Sequence, residues 1–190
     1  MKFTVCNYYV KLALIMLICS FAVSSQENQS VQEFGANAGW EHPYGNSIEY
    51  SHSLSEHQLF GGGVGFSFNG IKFGLGYKYL INSLYSKKGN FNPYIGLYAS
   101  YAGGFSKVNV NVNSDTAVYK TNSGVTATPR AGLRLSLGNA CIYANAGYAI
   151  LVKGGGVEYV SGSREQSVAN FANYVGLGGL EISGSFCFIF

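Results

Sequence analysis

The sequence predicts an all-β fold, an antiparallel up-and-down β-barrel of eight strands. Three observations carry this expectation. Apolar residues alternate with small or polar ones in eight separate segments, the period-two signature of strands. Charged residues make up 11% of the 190-residue chain, against about 25% in an ordinary soluble domain. Glycine contributes 26 residues, Tyr 15 and Phe 13, so both faces of the expected sheet lack a charged coat. The same composition argues against a disordered acidic chain, a coiled coil, a polybasic nucleic-acid binder and a disulfide-dense mini-protein.

The first segment reads as an address. Lys2 and Lys11 flank a short N-terminus, and Leu12–Val23 is apolar and uncharged. A helix crossing a bilayer needs about 20 such residues, and this run is shorter. Ser24, Ser25 and the polar stretch from Gln26 follow. That order predicts a cleavable secretory signal over residues 1–25, with Val23 and Ser25 at the −3 and −1 positions. The folded domain is then 26–190. Removing Lys2 and Lys11 lowers Lys+Arg from 12 to 10 against 9 acids, a net charge near +1. Such a balance implies no electrostatic partner, nucleic acid included.

Eight alternating segments follow, described here by their apolar face. The first carries Phe34, Ala36, Ala38 and Trp40, and the second Ile48, Tyr50, His52 and Leu54. Phe60, Gly62, Val64, Phe66 and Phe68 form the third, and Ile71, Phe73, Leu75, Tyr77 and Tyr79 the fourth. The fifth has Ile95, Leu97, Ala99 and Tyr101; the sixth runs through every second residue from Val125 to Leu137. Ile142, Ala144, Ala146, Tyr148 and Ile150 make the seventh, and every second residue from Leu180 to Phe190 the eighth. Most are about 9–12 residues long, the length a tilted strand needs to cross a bilayer. Asn69-Gly70 is expected to turn the chain between Phe68 and Ile71, and Gly138-Asn139 between Leu137 and Ala140. Each two-residue turn would place its flanking residues opposite one another on the apolar face.

The second face decides which solvent each side meets. In a soluble sandwich it would be rich in Lys, Glu and Asp, with the apolar face inward. Here it carries Gly, Ser, Asn and Thr with scattered charges, which suits a narrow lumen. The apolar face ends in aromatics: Trp40, Phe68 and Tyr101 towards one rim, Phe34, Phe60, Tyr79 and Phe186 to Phe190 towards the other. This is the pattern of a transmembrane barrel with two aromatic girdles. An even strand number puts both termini on one side. The outer loops are then His42–Asn46, Asn69-Gly70, Lys107–Gly124 and Gly154–Val175. The opposite turns are Ser55–Gln58, Asn82–Asn92 (which holds Lys87 and Lys88) and Gly138-Asn139. Val108, Val110, Val112, Val157 and Tyr159 in the long loops read as strand extensions beyond the membrane.

The end of the last segment resembles the C-terminal assembly signal of bacterial outer-membrane proteins. Phe190 is terminal, and Phe188 and Phe186 lie on the same face. Together with the barrel pattern over residues 32–190, the chain resembles the small eight-stranded outer-membrane barrels, similar to outer membrane protein X and the transmembrane part of outer membrane protein A. The resemblance implies a Gram-negative outer membrane as location. It implies lipopolysaccharide and phospholipid around the barrel, and the barrel-assembly machinery as a partner during biogenesis. With no sequence after Phe190, no peptidoglycan-binding domain is expected.

Alternation places Glu33, Glu49 and Glu181 in the lumen with Lys72, Lys78, Arg130 and Arg134. Charges in so narrow a space must pair, because an isolated one is very costly. Glu181 and Glu49 are the partners expected for Arg130 and Arg134. The plain reading is a salt-bridged plug. An ion-conducting gate, similar to that argued for outer membrane protein A, is the alternative. After signal removal Cys141 and Cys187 are left, both facing the lumen on adjacent strands, able to form a disulfide or to stay as two buried thiols. The three histidines His42, His52 and His57 have no serine and acid at catalytic spacing: Leu54 stands where a His-x-Ser pair from His52 would need its serine. No enzymatic activity, cofactor or metal is expected, and the role is structural or adhesive; a lipid-A-modifying enzyme is the least favoured alternative.

Overall fold

The computed structural model describes residues 30–40, 43–85, 91–112, 115–163 and 178–190. The expected signal segment, His42, Lys87 and Lys88 lie outside them, as does most of the predicted outer loop before Val175. Val31–Phe190 form one unit. Among the described residues its eleven strands are β1 (Gln32–Trp40), β2 (Asn46–Ser55), β3 (Gln58–Ser67), β4 (Gly70–Leu80), β5 (Phe91–Ala102), β6 (Phe105–Val112), β7 (Asp115–Thr121), β8 (Gly124–Ser136), β9 (Ala140–Gly154), β10 (Val157–Gly162) and β11 (Gly179–Ile189).

Eight of these close into an antiparallel barrel in the order β1-β11-β9-β8-β5-β4-β3-β2. All eight coincide with the segments read from alternation. The ladder is continuous around the circumference, and the first and last strands pair from Glu33↔Ile189 to Trp40↔Ile182. Closure removes the sheet edge, so the ladder satisfies its own backbone groups.

The side-chain period of two sorts the residues by face. On β1, Phe34, Ala36 and Ala38 are exposed while Glu33, Gly35 and Asn37 are buried. On β11, Phe186 and Phe188 point out and Glu181, Ser183, Ser185 and Cys187 point in. A stacked sandwich would bury Leu133, Phe186 and Phe188 against one another; they are 46%, 45% and 53% exposed. The soluble-sandwich alternative is thereby set aside.

The two turn expectations fare differently. At Gly138-Asn139 the Leu137 N–H donates to the Ala140 carbonyl at 2.8 Å, and Ser136 faces Cys141, as read. At the β3–β4 turn the register is one residue earlier than expected. Phe68 and Asn69 make the turn, Ser67 faces Gly70, and Phe66 rather than Phe68 faces Ile71. The left-handed conformation at Gly70 (φ 104°) explains the shift, because the glycine closes the turn from outside it. The apolar residues keep their face, since a register sum displaced by two preserves parity.

β6, β7 and β10 form a second, three-stranded sheet in the order β10-β7-β6. The expected strand extensions are thus a separate sheet, which starts in the barrel's register and leaves it by one residue at bulges between Phe105 and Val108 and between Tyr159 and Ser161. Ala102↔Gly124 on β5–β8 continues as Phe105↔Thr121 on β6–β7. Gly124↔Gly154 on β8–β9 continues as Val157↔Thr121 on β10–β7. The breaks fall at one level, at Gly103-Gly104, Asn122-Ser123 and Gly155-Gly156. Asn122 N–H to the Gly156 carbonyl (3.0 Å) and Gly155 N–H to the Ser123 carbonyl (2.8 Å) bridge the gap. Gly104, Gly155 and Gly156 take positive φ there, which lets the chain bend without losing its partner. One side of the small sheet buries Val110, Ala117 and Tyr119, packed with Val108 and Val157.

Candidate functional site: the charged lumen

Every one of the seven lumen charges read from the sequence is buried, none more than 5% exposed. Among the described residues three buried ion pairs stand out. Arg130 meets Glu181 through Nε (3.1 Å) and Nη2 (2.5 Å), a bidentate contact. Arg134 meets Glu33 at 2.9 Å, and Lys78 meets Glu49 at 2.9 Å. The expected Arg130–Glu181 partnership is present. Glu49, expected on an arginine, instead takes Lys78, and Glu33 takes Arg134.

The strand register explains the first pairing. Arg130 and Glu181 lie on β8 and β11, and both are opposite Gly147 of the intervening β9. Gly147 has no side chain, so the two long ones meet over it; a Cβ there would lie 2.8 Å from Glu181 Oε2. Ser183 Oγ also donates to Glu181 Oε1 at 2.8 Å. Arg130 further stacks its guanidinium over the Tyr98 ring at 4.2 Å.

Glu33 gathers three side-chain donors. It accepts from Arg134 Nε at 2.9 Å, from the Tyr143 hydroxyl at 2.5 Å and from Cys141 Sγ at 3.5 Å. Glu49 accepts from Asn37 Nδ2 (3.3 Å) and the Ser51 hydroxyl (3.2 Å) besides Lys78, whose ammonium also sits 4.5 Å from the Tyr143 ring centre. Such saturation offsets the desolvation cost of each buried charge.

Aromatic rings fill the rest. Tyr44, Tyr94, Tyr98 and Tyr143 are all buried inside. Tyr44 meets Tyr98 edge-on at 5.9 Å, Tyr94 meets Tyr143 edge-on at 5.6 Å, and the Tyr94 hydroxyl donates to Asn145 Oδ1 at 2.5 Å. The inward glycines of β3 and β4 make room for these rings: a Cβ at Gly63 would clash with the Tyr44 ring, and one at Gly76 with the Tyr98 ring. Towards the end where β1 begins and β11 finishes, Leu59, Leu80, Leu84, Tyr94, Cys141, Tyr143 and Cys187 form an apolar cluster inside the barrel.

Compared with known proteins, the chain matches no family model, no curated protein and no solved structure. The geometry alone therefore carries the functional argument.

Sequence reasoning missed three things. Tyr44 lies in the β1–β2 loop, where alternation says nothing about which way a ring points. The inward Leu59 and Leu80 were legible in principle, because each neighbours an outward aromatic (Phe60, Tyr79) and so falls on the other face. The third is a group that could hold a metal ion: one ligand atom each of Glu33, Cys141 and Cys187 lie within 4.8 Å of one another. Its members come from three strands, so no local spacing announces it. The two cysteines are unbridged and directly opposite, Cys187↔Cys141. Phe186, Phe188 and Phe190 all lie on the outer face, the first two ring-to-ring at 5.2 Å.

Proposed function

We propose that this chain is an integral outer-membrane β-barrel protein of a Gram-negative bacterium, non-enzymatic, with a structural or adhesive role at the cell surface. The observation that supports it most is the inversion of the usual solvents. Ile48, Phe66, Phe73, Leu97, Leu133 and Ile182 stand exposed on the outside, while the buried interior holds the charges. In water such a surface would aggregate; in hydrocarbon it is the stable arrangement, because a closed ladder leaves no backbone group unpaired. Trp40 and Tyr101 near one rim, and Phe34, Phe60, Tyr79 and Phe188 near the other, are exposed where interfacial girdles would sit. Lipopolysaccharide and phospholipid are the implied surroundings, and the β6-β7-β10 sheet with its neighbouring loops is the implied contact surface.

The lumen favours a plugged barrel over the channel alternative. Among the described residues, three ion pairs and four tyrosine rings occupy it. Conduction would require exchange of buried pairs, at a cost of about 3–5 kcal/mol for each charge left alone.

The test is outer-membrane fractionation combined with migration on a detergent gel with and without boiling. The expected outcome is co-sedimentation with the outer membrane and a band that shifts on heating. A protein that neither shifts nor floats with membranes overturns the reading.

A further inference from the structure

We infer that Cys141 and Cys187 form a cross-strand disulfide inside the barrel, tying the last strand to β9. The inference needs the barrel's geometry and not its cellular address. Their two strands are paired without a register break from Gly179↔Ala149 to Phe188↔Ala140. One residue further, the Ile189 N–H donates to the Asn139 carbonyl at 2.8 Å, which marks 189/139 as a hydrogen-bonded pair of the ladder. Such pairs recur every second residue, so Cys187/Cys141 is also one, with Cα atoms roughly 5.5 Å apart. That separation lies at the mode of native disulfides, about 5.5–6 Å. Both side chains point inward on the same face, are buried, and hold their sulfurs within 4.8 Å. Bond formation requires the two sulfurs to turn towards each other about the Cα–Cβ bonds and the two Cβ atoms to draw together, because a hydrogen-bonded pair sets them towards the wide end of about 4.5–5.5 Å and a disulfide holds them at about 3.5–4.5 Å.

The neighbours discriminate between a disulfide and a metal. A cation bound by the two sulfurs and Glu33 would have to share a carboxylate already held by Arg134, Tyr143 and Cys141. Displacing Arg134, whose side chain is 1% exposed, would leave a buried guanidinium without its counter-charge. A disulfide is neutral and leaves the Glu33–Arg134 pair intact; it gives up only the long 3.5 Å contact from Cys141 Sγ.

Formation is a thiol–disulfide exchange with a disulfide oxidant. One cysteine thiolate attacks the oxidant and expels its first thiol; the second cysteine then attacks the mixed disulfide and expels the other. Two S–H bonds are lost, one S–S bond forms, and two electrons and two protons leave with the oxidant, now two thiols. Because both sulfurs are buried in the closed barrel, the exchange belongs to the stage before β11 has zipped onto β9.

The test folds the full chain in detergent micelles under an oxidised/reduced glutathione couple, with the heat-shifted band confirming closure. Acid quenching, alkylation under denaturation and peptide mapping follow. The expected result is a linked peptide pair containing Cys141 and Cys187, no alkylation at either residue, and full alkylation of both after reduction. Two alkylated residues without reduction overturn the inference. So does protection that a chelator abolishes, with metal retained by the folded protein, because that is the metal site. Fractionation tests the membrane reading separately, so either can fail alone.

Discussion

At the scale of the residue, two glycines on neighbouring strands make opposite predictions. Gly147 faces inward, and a methyl group there would press on Glu181 Oε2 at 2.8 Å. Gly147→Ala should lower stability by about 1–3 kcal/mol, measured as the urea midpoint of the barrel in detergent. Gly184 faces outward, and its added Cβ would touch nothing closer than the Tyr143 carbonyl at 3.6 Å. Gly184→Ala should stay within about 0.5 kcal/mol of the parent in the same assay. Glu33 gives a sharper case. Glu33→Gln leaves the buried Arg134 without its counter-charge and should cost about 3–5 kcal/mol. Replacing Arg134 by Met in the same chain should recover most of that loss; a double variant no better than the single one would show that the pair is not the source.

The residue scale also shows what was readable. Parity alone placed all seven lumen charges, because one face of each strand is buried and the side-chain period is two. It could not choose partners. Arg134 finds Glu33 rather than Glu49 because register and the reach of each side chain across intervening strands decide it, and neither is written in local sequence. Tyr44 escaped for a related reason: a loop has no period.

At the scale of the element, the outer sheet and the barrel share neither a ladder nor a core. The β5–β8 pairing runs without a break from Phe91↔Leu135 to Ala102↔Gly124 and owes nothing to β6 or β7. Replacing residues 105–121 by a short turn should therefore leave the heat-shifted band and urea midpoint of the barrel unchanged, while abolishing any surface binding the full chain shows. The outer sheet carries its own acid sensitivity. On β10, Glu158 accepts from Asn122 Nδ2 at 2.7 Å and from Lys120 Nζ at 3.4 Å, and these donors hold its carboxyl below the ordinary glutamate value. A depressed carboxyl stabilises the fold above the unfolded-state value, about 4.3, and that help is lost as pH falls through the lower folded value. The Asn122 side-chain amide resonances should move with acidification below about pH 4. Glu158→Gln should remove that response and leave the barrel resonances untouched.

The eight barrel strands were legible at this scale, because half-buried strands alternate strictly. The outer sheet was legible only as extra alternation in Val108, Val110 and Val112 and in Val157 and Tyr159. Its separation from the barrel depends on backbone bends at Gly104, Gly155 and Gly156, and a glycine says that a bend is allowed without saying that one occurs.

At the scale of the whole molecule, the exposed apolar wall and the filled charged lumen make a joint prediction. Reconstituted into planar bilayers, the folded barrel should show no steady conductance, since side chains occupy its axis. A stable open level would place the ion pairs in exchange and favour the gate alternative. The fold was readable because composition and pattern agreed: few charges, many glycines, and aromatics where a wall of hydrocarbon would end. The proposed address rests on physics rather than on likeness to any relative.

The common level of the three breaks has a consequence for how this chain can change length. The outer ribbons resume at Phe105↔Thr121 and Val157↔Thr121 with the counting they had below, so Asn122-Ser123 is matched against two residues on either side. A residue gained at Asn122-Ser123 would shift β7 against both neighbours at once, whereas the extra residues at the bulges beyond Phe105 and Tyr159 sit on β6 and β10 and each shift one pairing alone. A gain at the tip between β6 and β7 would displace nothing beneath. Variation in length is thus cheap at the crown and costly at the collar, and tags or epitopes grafted onto this protein belong at that tip.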